Sequence, residues 1–361
     1  MWRRNVLGIS FCTIIMMRLR TWQKYILATV IFTVFSVFFL LILFKLSSDK
    51  MQEAYDDSDV DIEEVMAERR EIASNIFING TDYRMTHPVS TYLVIGTDDG
   101  GNVTGIGDSY LGDCADSLML VMVDDEEKTY GAIQIDRDTM MDVNVLDSQG
   151  EFAFTYYMQL CLAHVYGGDP AAGCRNLEDV VSELMGELNI DAYYALPISS
   201  VQKINNLLGG VTVTIEDDFS QVDPSLTQGE EITLSDEQAE HFVRGRMNIG
   251  EGDNVGRMRR QKTFVEALRK QFEEKREEDP EFVSNFLSLM QSDATTDINL
   301  DELKELFDRM NGYQYLGEFE PEGWFEENDT FSDGTLHKEF YADEASLESI
   351  INELYPVEED N

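Results

Sequence analysis

Basic residues are scarce in this chain of 361 residues, which has 27 lysines and arginines against 70 aspartates and glutamates. The formal net charge at pH 7 is −43. A protein that neutralises nucleic-acid phosphates or anionic headgroups needs the opposite balance. The composition therefore argues against nucleic acid and anionic membrane surfaces as partners.

Cysteine is also sparse, with four residues. Cys12 precedes a long apolar run, and Cys114, Cys161 and Cys174 follow it. An odd number of cysteines after that run allows one disulfide and one free thiol. Cys161 and Cys174 are close in sequence and could pair; buried free thiols are the alternative.

Residues 25–44 contain neither a charge nor a helix breaker. Twenty helical residues span about 30 Å, the thickness of the hydrocarbon core of a bilayer. Basic but no acidic residues precede this run, and many acidic residues follow it. The positive-inside rule therefore predicts a single-pass protein of the cell membrane, with a cytoplasmic basic tail over 1–24 and an extracellular C-terminal part. A cleaved signal peptide is the alternative. The shorter apolar stretch from Val6 to Met17 indicates either an upstream cytoplasmic leader or a true start at Met16 or Met17.

After the predicted span, residues 45–88 are acidic and polar, which is typical of a spacer. We expect one domain over 89–356, with a helical C-terminal part from about residue 276. Short apolar runs predict strands over 91–96, 117–123, 129–135, 192–198 and 211–215. Helical patterns are found over 154–166, 176–188, 199–208, 257–275, 282–290, 300–307 and 345–354, and Ser235 is a helix start signal. This alternation predicts an α/β fold, a three-layer α/β/α sandwich around a mixed sheet.

Five of the few arginines lie close together in sequence: Arg244, Arg246, Arg257, Arg259 and Arg260. Arginine presents a planar fork of donors that matches phosphate oxygens bidentately, and it stays charged at any relevant pH. A cationic cleft in an acidic protein indicates a site for a phosphorylated ligand. The alternative is that these arginines neutralise nearby carboxylates at a helix start.

The blocks around this cluster resemble the LytR-CpsA-Psr family of cell-envelope enzymes. The segments that carry the resemblance, over roughly residues 90 to 355, are C-A-D-S-L-M-L-V-M-V (114–123), I-Q-I-D-R-D-T-M-M (133–141), H-V-Y-G-G (164–168), I-N-N-L-L-G-G-V-T-V (204–213) and 236–261. The resemblance implies a transferase that moves a glycan polymer from a polyprenyl-pyrophosphate carrier to peptidoglycan or another envelope acceptor.

The resemblance also implies roles for individual residues. It assigns Asp98 and Asp116 to a Mg²⁺ site, for which Mg²⁺ would need one or two carboxylates beside phosphate and water. Asp253 becomes the candidate base for the acceptor hydroxyl, with Arg137 and Arg244 as further catalytic residues. The predicted pyrophosphate-binding residues are Arg137, Arg244, Arg246, Arg257, Arg260 and Gln261.

Two departures from the family pattern bear on activity. Cys114 stands where the family commonly has arginine, and Gln159-Leu160-Cys161 stands where it usually has Lys-x-Asn. An active enzyme and a catalytically silent module that binds polyprenyl-linked glycan are therefore both open. A third feature is ambiguous, because the aromatic residues Phe152, Phe154, Tyr156 and Tyr157 could line a lipid groove or form ordinary core.

Overall fold

The computed structural model describes residues 75–98, 113–147, 152–166, 169–250, 252, 254–279, 281–332 and 334–360, all within the unit Arg70–Asn361. Its strands are β1 Asn75–Ile78, β2 Thr81–Met85, β3 Ser90–Thr97, β4 Ala115–Asp124, β5 Thr129–Ile135, β6 Met140–Leu146, β7 Phe152–Gln159, β8 Ala192–Pro197, β9 Thr212–Thr214, β10 Glu231–Thr233, β11 Thr295–Thr296, β12 Gln314–Phe319, β13 Gly323–Asn328, β14 His337–Ala342 and β15 Val357–Glu359. Its helices are α1 Leu162–Val165, α2 Pro170–Leu184, α3 Ser200–Leu208, α4 Asp236–Arg244, α5 Asn254–Glu278, α6 Phe282–Asp293, α7 Leu300–Met310 and α8 Glu344–Leu354.

A six-stranded mixed sheet lies at the centre, in the order β11-β8-β3-β4-β5-β12. Strands β3, β4 and β5 form an antiparallel meander, while β8 runs parallel to β3 and β12 parallel to β5. Along β3, buried residues alternate with half-buried ones, as the two-residue period of a strand requires. The predicted α/β class with a mixed sheet is confirmed.

The buried face of this sheet forms the larger of two hydrophobic clusters. Leu93, Ile95 and Leu120 from the sheet pack there with Val181 of α2 and Ile351 of α8. Each helix contributes several buried residues from one side. Burial of apolar surface at about 25 cal/mol per Å² therefore holds the two helices to the sheet.

A second hydrophobic cluster forms among α3, α4, α5 and α6 with the β9-β10 hairpin. Phe272 of α5 is its aromatic centre, with ring centroids 5.2 Å from Phe282 and 4.9 Å from Phe286. The same helix reaches β12 of the central sheet, where the Arg269 guanidinium lies 4.5 Å from the Tyr315 ring centroid. Helix α5 thus contacts both the helical cluster and the sheet.

Helix α4 begins as its sequence predicts. The Ser235 hydroxyl accepts from the backbone N–H of Gln238, and the Gln238 side chain accepts from the Ser235 N–H, so both partners of a capping box are present. The helix ends at Arg244, and Gly245 takes an extended conformation that turns the chain. The cap therefore fixes where the first arginine of the cluster lies.

The helix predicted over 154–166 is wrong. Its first part belongs to β7, which pairs with β6 in an antiparallel hairpin, and only the four residues of α1 are helical. Phe152, Phe154 and Tyr157 are 63%, 40% and 48% exposed on β7. These three aromatic side chains are therefore not part of the core.

Strands β1 and β2 were not predicted, because residues 75–85 fall within the acidic stretch that the sequence indicates as a spacer. The structure pairs β1 with β2 and β2 with β15, near the end of the chain. In the part of the chain that the structure describes, no helix is both long and apolar enough to cross a membrane. The transmembrane helix predicted over 25–44 lies outside the described residues.

Candidate functional site

Three candidate residues follow or begin neighbouring strands at one edge of the central sheet. Asp98 follows β3, Asp116 lies at the start of β4, and Arg137 follows β5. Because β3 and β4 are antiparallel, with Thr97 opposite Ala115, and Leu118 of β4 faces Ile135 of β5, the three residues meet at this edge. A rigid sheet thus positions two carboxylates and one guanidinium together.

The other arginines arrive from the connection between α4 and α5. Arg244 is the last residue of α4, and Arg257 lies in the first turn of α5. The Nη1 of Arg257 lies 3.3 Å from Oδ2 of Asp116, and its Nη2 donates to the Asp116 carbonyl oxygen at 3.3 Å. The helical cluster and the sheet edge therefore meet at Asp116.

Asp116 joins two arginines. Its Oδ1 contacts Nη1 of Arg137 and its Oδ2 faces Arg257, so one carboxylate lies between two guanidinium groups. Arg137 also places Nε 3.2 Å from Oδ1 of Asp138. The side chains of Arg137 and Asp116 are each 17% exposed, and Arg257 and Asp138 are buried.

Arg244 forms the more exposed side of the site. Its Nη2 lies 3.7 Å from Oδ1 of Asp98, and its Nη1 donates to Oε1 of Glu240 at 3.3 Å. Its side chain is 46% exposed, so this arginine can change partners at low cost. The Asp98 backbone N–H donates to the Cys114 carbonyl oxygen at 3.1 Å, so Asp98 borders the start of β4.

In the buried part of the site, Arg257 lies close to other arginines. Burial, followed by the charge of Arg137, lowers the pKa of Arg257 to about 10, and Arg246 acts in the same direction. Within the described ranges, Nε of Arg246 is buried without a hydrogen-bond partner. The charged form of the Arg257 guanidinium is thus disfavoured where it lies, and a bound anion would stabilise it.

Asp136 directly precedes Arg137 and connects to the arginine site through hydrogen bonds. Its Oδ1 accepts from the backbone N–H of Asp138 at 2.8 Å and from Nδ2 of Asn254 at 2.7 Å. Burial, then the charge of Asp138, raises the pKa of Asp136 to about 6. The Oδ1 of Asn254 in turn accepts from Nη2 of Arg257 at 2.6 Å, so Asn254 orients that guanidinium.

Arg260 and Arg259 are engaged elsewhere. Nη1 of Arg260 lies 2.6 Å from Oδ2 of Asp217, and its Nε donates to the carbonyl oxygen of Phe242 at 3.0 Å. It also donates to the Gly245 carbonyl. Arg259 contacts the other oxygen of Asp217. Arg260 therefore holds the turn that carries Arg244 and Arg246.

Gln261, predicted to donate to a phosphate oxygen, directs its Nε2 at the carbonyl oxygen of Val243, 3.3 Å away. Its Oε1 is buried and, among the described residues, unpartnered. Asp253, the predicted base, lies outside the described residues. Sequence analysis missed Asp217 and Asn254; the only signal was that Asn254 directly follows Asp253.

The three described cysteines are buried and free. A disulfide between Cys161 and Cys174 is therefore absent from the structure, and the free-thiol alternative is correct. Cys114 and Cys161 share a hydrogen bond, which lowers the pKa of Cys114 and raises that of Cys161. His164, in the block before the glycines, is buried, and burial lowers its pKa.

The carboxylates at the sheet edge suit a hard cation only with help from a ligand. Among the described residues, no group of three or more His, Cys, Asp or Glu side chains could hold a metal. Mg²⁺ uses one or two carboxylates and takes its other ligands from phosphate and water. Asp98 fits that role, because its recorded ion pair is long and uses only Oδ1. Asp116 fits once an anion has taken over one of its two arginines.

The family model described as "LytR_cpsA_psr family" matches residues 39–320. The chain belongs to the LytR-CpsA-Psr family. Membership implies cell-wall glycopolymer transfer, the activity of the transferases in this family. A search of curated proteins found no match.

Solved structures show the same fold at low identity. TagT bound to LI-WTA is 19% identical, with a TM-score of 0.53 over 74% of this chain and 90% of that one. TagV of B. subtilis is 19% identical, with a TM-score of 0.54 over 73% of this chain and 96% of that one. The protein gbs0355 from Streptococcus agalactiae is 18% identical, with a TM-score of 0.57 over 74% and 88%.

Proposed function

We propose that this chain is a membrane-anchored extracellular phosphotransferase. It moves a glycan polymer from a polyprenyl-pyrophosphate carrier to peptidoglycan or another cell-envelope acceptor. The observation that carries the proposal is the group of Arg137, Arg246 and Arg257 at one sheet edge, where Asp116 lies between two of the guanidinium groups. Family membership supports the transfer of a glycopolymer.

A pyrophosphate diester carries about two negative charges near neutral pH, which several arginines can neutralise bidentately. Transfer of a phosphoryl group depends mainly on electrostatic stabilisation and on placing the attacking oxygen. In this proposal Arg137 and Arg257 hold the pyrophosphate at the sheet edge, and Arg246 and Arg244 close over it from the α4-α5 connection. Arg260 and Gln261 position that connection.

The acceptor hydroxyl needs a base and a fixed approach. Asp253 immediately precedes Asn254 in sequence, and the Asn254 amide is fixed between Asp136 and Arg257. We assign Asp253 the proton of the attacking hydroxyl. An aspartate carboxylate can accept that proton as the bond between the hydroxyl oxygen and phosphorus forms.

We further propose that Asp98 and Asp116 hold Mg²⁺ together with the pyrophosphate. Mg²⁺ would neutralise charge on the phosphate oxygens as the lipid phosphate leaves. The proposal rests on the two carboxylates beside the arginines, which fit the oxygen preference of this ion.

The anchor is proposed from the charge asymmetry around residues 25–44, with the C-terminal part outside the cell. Protease added to intact cells should digest the C-terminal domain. Full protection of that domain, under conditions that digest a known external protein, would reverse the topology while leaving the transfer chemistry untouched.

The alternative is a catalytically silent module of the same fold, which Cys114 and Gln159 favour, because both replace cationic residues of the family pattern. A single-turnover assay with a short polyprenyl-pyrophosphate-linked glycan separates the two. The transferase consumes the donor and modifies the acceptor. Binding without turnover identifies the module, and turnover without acceptor identifies hydrolysis of the pyrophosphate.

A further inference from the structure

Two of the free cysteines lie on adjacent chain segments. The Ala115 backbone N–H donates to the Cys161 carbonyl oxygen at 3.4 Å, so the start of β4 lies beside the turn before α1. Hydrogen-bonded neighbouring strands are about 4.8 Å apart. Residues on backbone segments in direct hydrogen-bond contact are within reach of a disulfide, which bridges Cα atoms roughly 4.4 to 6.8 Å apart.

The side chains of both cysteines are free thiols in the same buried core. Cys114 and Cys161 are 6% and 1% exposed, and both belong to the larger hydrophobic cluster. Both lie against Arg137: the Cys161 N–H donates to the Arg137 carbonyl oxygen at 3.0 Å, and the guanidinium charge acts on Cys114. The two departures from the family pattern are thus neighbours in space.

We propose that Cys114 and Cys161 form a redox-active thiol pair that is reversibly joined as a disulfide at the base of the arginine site. The pair does not depend on the transfer reaction, because its state can be read on the thiols themselves. Its structural consequence is local. The disulfide would link the start of β4 to the turn before α1, where the Cys161 N–H donates to the Arg137 carbonyl oxygen.

The oxidation balances with a peroxide as the co-reactant. The Cys114 sulfur, the more exposed of the two, attacks one oxygen of hydrogen peroxide, the O–O bond breaks, and sulfenic acid and water form. The Cys161 sulfur then attacks the Cys114 sulfur, the S–O bond breaks, and the hydroxyl leaves as water with the Cys161 proton. Two thiols lose two electrons to one peroxide, and a dithiol reductant reverses the bond by exchange.

Cys174 provides a matched control within the same chain. It is fully buried in α2, and burial raises its pKa to about 12. A thiol of that kind reacts slowly with oxidants. Cys174→Ser therefore changes the number of buried thiols while leaving the proposed pair intact.

The test uses the full-length chain, treated with hydrogen peroxide, alkylated and digested for peptide mapping by mass spectrometry. We expect a cross-linked peptide containing Cys114 and Cys161, 2 Da lighter than the sum of its parts by loss of two hydrogens, which disappears with dithiothreitol. A disulfide closing this loop should also raise the Tm by about 5–10 °C. Cys174→Ser should retain both changes, and Cys114→Ser and Cys161→Ala should lose both.

Alkylation of both thiols after peroxide treatment would overturn the pair. So would sulfinic acid at Cys114 in place of the cross-link, or a cross-link that joins Cys114 to a cysteine other than Cys161. Each of these outcomes can be distinguished from failure of the proposed transferase, because none requires substrate or turnover.

Discussion

Arg257 and Arg260 lie about one turn apart on α5, yet the structure engages them in different ways. Arg260 pairs with one oxygen of Asp217 and donates to two backbone carbonyls. Arg257 shares Asp116 with Arg137, and burial, followed by the charge of Arg137, lowers its pKa. The fold supplies hydrogen-bond acceptors for Arg260, whereas Arg257 shares its carboxylate and could gain a further acceptor from a bound anion.

This difference separates the two explanations of the arginine cluster. Neutralisation of nearby carboxylates accounts for Arg259 and Arg260, which both contact Asp217. A phosphorylated ligand accounts better for Arg246 and Arg257, together with Arg137. Both explanations therefore apply, to different members of one sequence motif, and variants can test the division.

The largest expected effect is on stability. Arg260→Ala removes a buried partner of Asp217 and leaves two backbone carbonyls without their donor. It should lower the free energy of unfolding by about 3–5 kcal/mol in denaturant titrations. The matched control is Arg259→Ala, because that side chain is 50% exposed, and it should cost less than about 1 kcal/mol. Equal losses in the two variants would contradict a structural role specific to Arg260.

Arg246→Ala should lower transfer activity and leave stability nearly unchanged. Its guanidinium has no recorded ion pair among the described residues, so unfolding should be nearly unchanged, with Tm within about 2 °C. Transfer should fall about 100-fold, as when one donor to developing charge is removed. Arg246→Lys should recover only part of this loss, because an ammonium cannot donate bidentately. A stable variant with full activity would place Arg246 outside the site.

The pH dependence of stability should report Asp136. Its folded-state pKa of about 6 lies above the ordinary value of 3.8, so the folded chain holds the proton more tightly than the unfolded chain. This contribution is therefore complete below about pH 4 and is lost as the pH rises through about 6, at a cost of about 3 kcal/mol.

In Asp136→Asn the side-chain oxygen can still accept from Asn254 and from the Asp138 N–H, but it no longer titrates. The difference in unfolding free energy between variant and wild type should therefore increase from pH 4 to pH 7. Chemical denaturation at a series of pH values measures it, and taking the difference cancels the other carboxylates. A constant difference would show that Asp136 is not buried as an acid.

A smaller effect is expected at the rim. Asp98→Asn should lower transfer at least about 10-fold and weaken the response to added Mg²⁺, with little change in Tm. Glu240→Gln is the control, since Glu240 pairs with Arg244 as Asp98 does but is assigned no metal. Wild-type transfer that continues in excess EDTA would remove Mg²⁺ from the mechanism while leaving the arginine site in place.

Much of the fold could be predicted because its signals are local. The strands over 91–96 and 129–135 are short apolar runs, and Ser235 with Gln238 forms the capping box that its sequence spacing predicts. The helix prediction over 154–166 was wrong because the apolar positions there fit both the helical and the strand period. Only the pairing of β7 with β6 decides between the two. The β1-β2 pair depends on β15, a partner at the far end of the chain.

The candidate site was predictable as a set of residue types, but not as a set of contacts. Sequence spacing indicated that Arg257 and Arg260 share a helix face, and no local rule assigns Asp116 to one and Asp217 to the other. Asp217 stands beside Glu216 and Asp218, without a pattern that distinguishes it from solvated acids. Such partners are set by tertiary packing, which brings together segments that are distant in sequence.

Asp116 serves as a resident counter-ion for Arg137 and Arg257, and this has a thermodynamic consequence. An incoming anion competes with a carboxylate that is already in place, so net affinity is the difference between two similar interactions. The released carboxylate then becomes available to a cation. By thermodynamic linkage, if the bound anion raises the affinity for the cation by some factor, the bound cation raises the affinity for the anion by the same factor. An exchangeable internal carboxylate would thus make the site discriminate between a bare anion and one that arrives with its metal.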